Sequence, residues 1–451
     1  MAGEGGAETA APEGRSPLLR APWLDLVVVA FAALRILAVL GLQPGRFGDT
    51  ASYLHLSFVG HADRLWTVPL LYHLLRADAG RVAAQVAIGI GCWWFAARTF
   101  AGQLRDRRVQ VVGLFVVCSF ALSIQVTSWD GTILSDSLAI SLTVLLLSVW
   151  WRELREPSLG TAVALVAVTV LWTFTRESNV VMNDLVAVAA FLSIPWAPRR
   201  WRRVGIAACV LAASLWGHAA LRNDHYATRI NINAIIIDRM EPVASYRTWW
   251  QHHGVPVLPT RYDEVEPTSP RYRAAYVAWL DHHGEGTYVR FLVTHPAYTV
   301  GKPLPDLLPF SFGDLEGKDQ THLTVLGLAD HYGRARSVVP SWVTLVVIDP
   351  GSAGVVLPMA VLVALGVAGA WRRRGYDRRW TLPLLVLALN VPQVFLVWHG
   401  SNAELGRHSL ELAVSTRLAL WALTLLLVYQ WLVYRGSASV DADPLAPAVE
   451  P

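Results

Sequence analysis

The run WLDLVVVAFAALRILAVLGLQPGRFGDTASY, residues 23–53, decides the class of this chain. Its first part, 23–43, is apolar over the ~20 residues that a helix needs to cross a hydrocarbon core of ~30 Å. It does not alternate every second residue as a barrel strand does, and lipid offers no partner for free backbone groups, so the run must be helical. It ends in Gly48-Asp49-Thr50-Ala51-Ser52-Tyr53, which places a carboxylate among small residues at the mouth of the helix.

Working outward, similar runs recur at 81–101, 109–127, 133–151, 159–175, 180–195, 204–221, 353–371, 380–398 and 412–434. Of the 451 residues, 54% are hydrophobic and 16% charged, against roughly 25% charged in soluble proteins. The expected fold is therefore an all-α polytopic membrane protein with about ten transmembrane helices. The basic residues are all Arg except Lys302 and Lys318. With the abundance of Ala, Val and Gly, that bias reads as the codon usage of a high-GC bacterial genome. Dispersed in short loops, the Arg residues are topology determinants, and no nucleic-acid partner is expected.

Arg105, Arg107 and Arg108 share one connection, Arg152 and Arg155 a second, Arg199 to Arg203 a third, and Arg372 to Arg379 a fourth. All four lie on one side if both termini are cytoplasmic, as the positive-inside rule requires. The domain organisation follows: a cytoplasmic tail 1–22, helices one to seven over 23–221 with a first outer loop at 44–80, an extracytoplasmic loop domain at 222–352, helices eight to ten over 353–434, and a cytoplasmic tail 435–451. No small-residue cleavage site follows a short apolar core, so the first span reads as an uncleaved anchor in the plasma membrane. Within 222–352, dispersed aromatics and prolines predict a compact domain. Residues 269–294 read as one or two helices interrupted by Gly284 and Gly286, and 339–347 as an interfacial helix. Cys92, Cys118 and Cys209 all lie in apolar runs, so no disulfide framework is expected.

The outer connections hold the residues with chemical potential. Asp49 is followed by Tyr53, His55, His61, Asp63 and Arg64, then by the amphipathic stretch Trp66-Thr67-Val68-Pro69-Leu70-Leu71-Tyr72-His73-Leu74-Leu75. The stretch Ser128-Trp129-Asp130-Gly131-Thr132-Ile133-Leu134-Ser135-Asp136-Ser137 opens the fourth span. There Ser135 or Asp136 can simply serve the helix start, where a carboxylate gains ~0.3–1 kcal/mol. Arg176 and Glu177 join the fifth and sixth spans, and Arg407 and His408 lie just before the tenth. Arg35, Asp184 and Arg417 fall inside spans, where each charge costs ~2.5–3.5 kcal/mol on insertion scales, so each needs a partner or a polar cavity. The pairs His252-His253 and His282-His283 lack the spacing of a zinc site.

An Asp shortly after the first span, an aromatic, and an interfacial Pro69-Leu70-Leu71-Tyr72-His73-Leu74-Leu75 resemble the GT-C class of glycosyltransferases, which includes the protein mannosyltransferases and the aminoarabinose transferases. The layout resembles it too, with an acidic first outer loop, a large late outer domain and an Arg in the last outer loop. Two departures are Thr50, where many relatives carry a second acidic residue, and Val68-Pro69-Leu70 in place of Pro-Pro-Leu. The resemblance implies a polyprenyl-phosphate sugar donor, a cell-envelope glycan, lipid or protein acceptor, and membrane lipids as surroundings. It implies Asp49 as the catalytic base, contacts to the leaving phosphate from Arg407 and His408 with Arg176 as a second candidate, and a donor phosphate or metal held by Asp136 and secondarily Asp130; Arg35, by its position below the Asp49 loop, is placed to line the donor cavity. A divalent metal is possible, and no other cofactor is expected. The rival readings are a lipid or solute transporter and a non-catalytic scaffold of envelope assembly.

Overall fold

The structure is a computed structural model that describes residues 23–59, 64–104, 106–192, 194, 200–222, 231–256, 274–305, 336–349, 354–400 and 409–440. Among them the fold is helical, and the β pairing is an isolated bridge between Gly45 and Thr132. The long helices are α1 (Trp23–Val39), α3 (Asp78–Ala101), α4 (Arg107–Ala121), α6 (Asp136–Arg155), α7 (Leu159–Thr173), α8 (Glu177–Leu192) and α9 (Arg200–Leu221). Short α2 (Thr67–Leu74) and α5 (Ile124–Thr127) lie between them. Every one of the ten apolar runs holds a long helix. The last three hold the helices Val356–Arg374, Thr381–Gly400 and Leu410–Val440. Among the described residues five helices are long and apolar enough to cross a membrane, namely Asp136–Arg155, Arg200–Leu221, Val356–Arg374, Arg378–Gly400 and Leu410–Val433. Taken as one span, the bent pair Arg107–Ala121 and Ile124–Gly131 makes a sixth, and the chain is a multi-pass membrane protein. α1, α7 and α8 are shorter, at 17, 15 and 16 residues.

The helix ends follow local chemistry. Asp106 caps α4 by accepting from the Arg108 and Val109 N–H groups at 2.8 and 3.1 Å. Ser158 and Thr161 start α7 reciprocally, with Ser158 N–H to Thr161 Oγ1 at 2.9 Å and Thr161 N–H to Ser158 Oγ at 3.1 Å. α6 carries Asp136 in its first turn and Arg152 and Arg155 in its last, in line with the helix dipole.

The expected single span at 109–127 is broken. α4 ends at Ala121, and the chain bends by 48° into 124–131. Such a break frees carbonyls in an apolar interior, and they need donors. Ser123 Oγ donates to Phe120 O at 2.8 Å, and Arg35 Nη1 donates to Ala121 O at 3.0 Å. The intramembrane Arg35 thus serves as the cation at the C-terminus of α4.

Alternate connections meet at opposite ends of the bundle. At the Arg-rich end, Arg155 donates to Gln103 Oε1 at 2.6 Å, Arg202 pairs with Glu153, and Gln430 Nε2 donates to Asp377 at 2.6 Å. Desolvation raises the Asp377 carboxyl, but hydrogen bonds from the side chain and backbone of Arg379 outweigh it and hold the group below the usual carboxylate range. At the other end, Gly45 N–H donates to Gly131 O at 2.8 Å and Ile133 N–H to Gly45 O at 2.9 Å, which stitches the first loop to the segment preceding α6.

The region between α9 and the last three helices contributes a second apolar cluster of Ile235, Met240, Trp250, Tyr276, Trp279, Tyr288, Phe291 and Tyr298, closed by Trp398. Its helices are α10 (Ala244–His252), α11 (Ala274–Trp279), α12 (Glu285–Thr294) and α13 (Pro296–Thr299). Gly284 does not interrupt the chain as its composition predicts. α11 runs through a π-helical turn, Leu280–Gly284, directly into α12, and even a Cβ at Gly284 would meet Leu280 and Ile232 only at ordinary van der Waals distance. The expected helix near 339–347 is α14 (Ser341–Val347). After it come α15 (Val356–Arg374), α16 (Thr381–Gly400) and α17 (Leu410–Val440).

Candidate functional site

The loop after α1 folds into a 3₁₀ turn, Gly48–Leu54, because Thr50 N–H donates to Phe47 O at 2.9 Å while the Thr50 hydroxyl receives Phe47 N–H at 2.8 Å. The turn aims Asp49 and Tyr53 at Arg64. Arg64 Nη2 lies 3.1 Å from Asp49 Oδ2, and Nη1 lies 3.3 Å from Glu177 Oε1. Its Nε donates to Ser52 Oγ at 3.1 Å, and the guanidinium covers the Tyr53 ring at 5.0 Å. Burial opposes the Arg64 charge, but Tyr53, Glu177 and Asp49 together raise its pKa above the ordinary arginine value, so it remains a cation. The Asp49 side chain stays 46% exposed, so solvent and solutes reach it.

Beneath this layer Tyr53 OH meets Ser135 Oγ at 3.1 Å, and Arg176 Nε donates to the same Ser135 oxygen at 3.2 Å. Arg176 Nη2 pairs with Asp136, and Nη1 reaches Glu411 Oε1 at 3.4 Å. The other Glu411 oxygen accepts from Thr143 Oγ1 at 2.7 Å, Trp172 Nε1 at 3.3 Å and Asn179 Nδ2 at 3.4 Å. Asp136, Arg176 and Glu411 are all buried. Two arginines and four carboxylates from four separate connections therefore form one polar column. It is open at Asp49 and closed at Glu411.

An apolar cavity of about 60 Å³ adjoins Glu411, lined by Trp150, Trp172, Met182, Leu389, Gln393 and Ser415. A wider groove of about 480 Å³ runs between α15, α16 and α17, with Asn390 and Thr416 as its polar wall.

Asp49, Arg176 and Asp136 are thus brought into one network. Arg35 and Asp130 are not part of it. Arg35 Nε and Nη2 bind Asp130 Oδ2 and Oδ1 at 2.9 and 3.1 Å, and Ser137 Oγ donates to Asp130 at 2.5 Å. With the two side chains at 1% and 0% exposure, the pair is sealed inside the bundle. Arg407 and His408 lie outside the described residues, as do His61 and Asp63. Of the other intramembrane charges, Arg417 donates to the carbonyls of Ile348, Ala413 and Asp349, and Asp184 meets His218 at 2.8 Å. Among the described residues no three His, Cys, Asp or Glu side chains converge as they would around a metal ion.

Glu411 escapes sequence reasoning altogether, and Arg64, Tyr53 and Ser135 appear there only as neighbours of the candidate residues. Arg64 has the look of an ordinary loop charge. Glu411 carries one signal, a carboxylate in the first turn of an apolar helix.

No family model matches the chain, and no curated protein matches it. Among solved structures it is similar to ArnT from Cupriavidus metallidurans bound to undecaprenyl phosphate. The two share 12% identity over 93% of this chain and 79% of that one, with a TM-score of 0.30.

Proposed function

We propose that this protein is a GT-C-like membrane glycosyltransferase that moves a sugar from a polyprenyl-phosphate donor to a cell-envelope acceptor on the extracytoplasmic face. The observation that carries the reading is the polar column itself. It sets a solvent-reachable carboxylate, Asp49, at its open end and a buried guanidinium, Arg176, between Asp136 and Glu411 toward its closed end, in a bundle whose sides are apolar.

In this reading the acceptor hydroxyl loses its proton to Asp49 and attacks the anomeric carbon. The bond from that carbon to the phosphate oxygen breaks with inversion, and its electron pair leaves with the lipid phosphate. Base catalysis of this kind contributes typically ~10²–10⁴-fold. Arg176, with Arg407 and His408 from the last outer loop, meets the charge on the departing phosphate, for which a guanidinium fork is suited. Arg64 keeps Asp49 oriented. Asp136 and Glu411 keep Arg176 oriented, so that no reorganisation is needed as the phosphate charge develops. The lipid chain lies along the apolar surface beside Glu411.

The test is incubation of the purified protein in vesicles with a panel of undecaprenyl-phosphate sugars, followed by mass spectrometry for released undecaprenyl phosphate and glycosylated products. Release that depends on Asp49 supports the reading. Passage of labelled undecaprenyl phosphate across the bilayer without bond cleavage would replace it with a transporter.

A further inference from the structure

α12 is apolar on more of its circumference than one core can cover. Tyr288 and Phe291 face the second apolar cluster and are buried. One turn apart on another face, Val289 and Val293 are 53% and 76% exposed. Val300 and Leu304, which follow α13, are 50% and 49% exposed. A helix that is apolar on both sides needs a second apolar medium. Charged residues flank the exposed stretch, with Arg290 next to Val289 and Lys302 between Val300 and Leu304.

The neighbouring structure says which medium is at hand. α12 is tied to the end of α16, a helix long and apolar enough to cross the membrane. Tyr288 OH donates to His399 O at 3.1 Å, His399 Nε2 lies 2.9 Å from Thr299 O, and the Arg239 guanidinium covers the Trp398 ring at 3.9 Å. Val289 is the residue after Tyr288. The exposed valines therefore start within one residue of an anchor at the end of a helix long and apolar enough to cross the membrane.

We propose that the Val289–Val293 face of α12, continued by Val300 and Leu304, inserts into the bilayer surface as an interfacial helix, with Arg290 and Lys302 against anionic headgroups. Interfacial helices bury the apolar face about 5–10 Å into the headgroup boundary and gain from anionic lipid. The insertion fixes the height of the 274–305 region over the mouth of the bundle. It does not depend on the glycosyltransferase reading.

The experiment photolabels the wild-type protein in phosphatidylethanolamine–phosphatidylglycerol vesicles that carry a trace of phosphatidylcholine with a diazirine near its carbonyl groups. Peptide mapping is expected to show lipid adducts on 286–304 at a yield comparable to the ends of α15 and α16. In Val289→Asp/Val293→Asp the adducts on 286–304 fall about tenfold while those on α15 and α16 persist, which also shows that the variant is inserted. Absence of adducts on wild-type 286–304 with normal labelling of α16 overturns the proposal. Crosslinks from this segment to a second copy of the chain in place of lipid overturn it equally.

Discussion

Asp130→Asn isolates the buried ion pair from the chemistry of the site. The substitution leaves the Arg35 guanidinium, 1% exposed, against a neutral amide. Its carbonyl bond to Ala121 and the neighbouring Gln85 bonds to Asp130 O and Thr132 O, at 3.0 and 2.8 Å, remain. Breaking a buried pair by removing one partner costs ~3–5 kcal/mol, because an uncompensated charge stays behind. At about 2–4 °C per kcal/mol for chains of a few hundred residues, the melting temperature should fall by roughly 6–20 °C. The double variant Arg35→Met/Asp130→Leu removes both charges and should recover most of that loss, since apolar replacement of a buried pair is often neutral or stabilising. Gly89 gives a second approach to the same contact. A Cβ there would sit 2.5 Å from Arg35 Nη2 and 2.7 Å from Cζ. Gly89→Ala should therefore destabilise the native protein and be tolerated in the background of the Arg35→Met/Asp130→Leu double variant. The assay is thermal unfolding in detergent, followed through the 20 tryptophans. An unchanged melting temperature for Asp130→Asn, or a double variant less stable than the single one, would refute the structural role of the pair.

The other expectations concern the polar column and the charged groups outside the spans. Asp49→Asn keeps the shape of the side chain and should lower transfer by about 10²-fold or more with little change in melting temperature; normal transfer by a folded, inserted variant would remove the catalytic role. Glu411→Gln retains a group for Thr143 and Trp172 but loses the charge facing Arg176, so it should raise KM for the lipid donor and lower kcat by about tenfold, and steady-state kinetics against donor concentration reads the two apart. Burial pushes the Tyr298 hydroxyl up to about 12 against Arg239, which acts to lower it. Its neutral form is thus favoured in the fold, and the stabilisation is fully present below pH 10 and lost as pH rises from about 10 to 12; an alkaline titration followed by tyrosinate absorbance checks the window. Asp377, held below the usual carboxylate range by Arg379, contributes in the opposite sense. Its stabilisation is present above the ordinary Asp value and lost as pH falls through the depressed one, and Asp377→Asn should remove that acid dependence from the melting curve.

The positions of the long helices and the alternation of their connections are legible in the sequence. The apolar runs at 133–151 and 204–221 become α6 and α9, and the Arg-rich connections near 103, 155, 202 and 377 meet at one end, because hydropathy and cap chemistry act within windows of ~20 residues. It also pointed to Asp49, Asp136 and Arg176. Tertiary structure decided what those residues touch. Arg35 and Asp130 are 95 positions apart, and Arg176 and Glu411 are 235. No local pattern encodes pairs at such separations, and by sequence Asp130, Arg176 and Glu411 fit an ordinary helix-end or loop position equally well. The break after Ala121 was hidden for the same reason. Its carbonyl is satisfied by a guanidinium from α1, and only the packed bundle supplies that donor. The helical passage through Gly284 runs by way of a π-helical turn, which helix propensity alone does not report. Spans are local because lipid imposes its demand on every backbone group in turn. The site is not local, because a buried charge is tolerated only where separate elements converge on it.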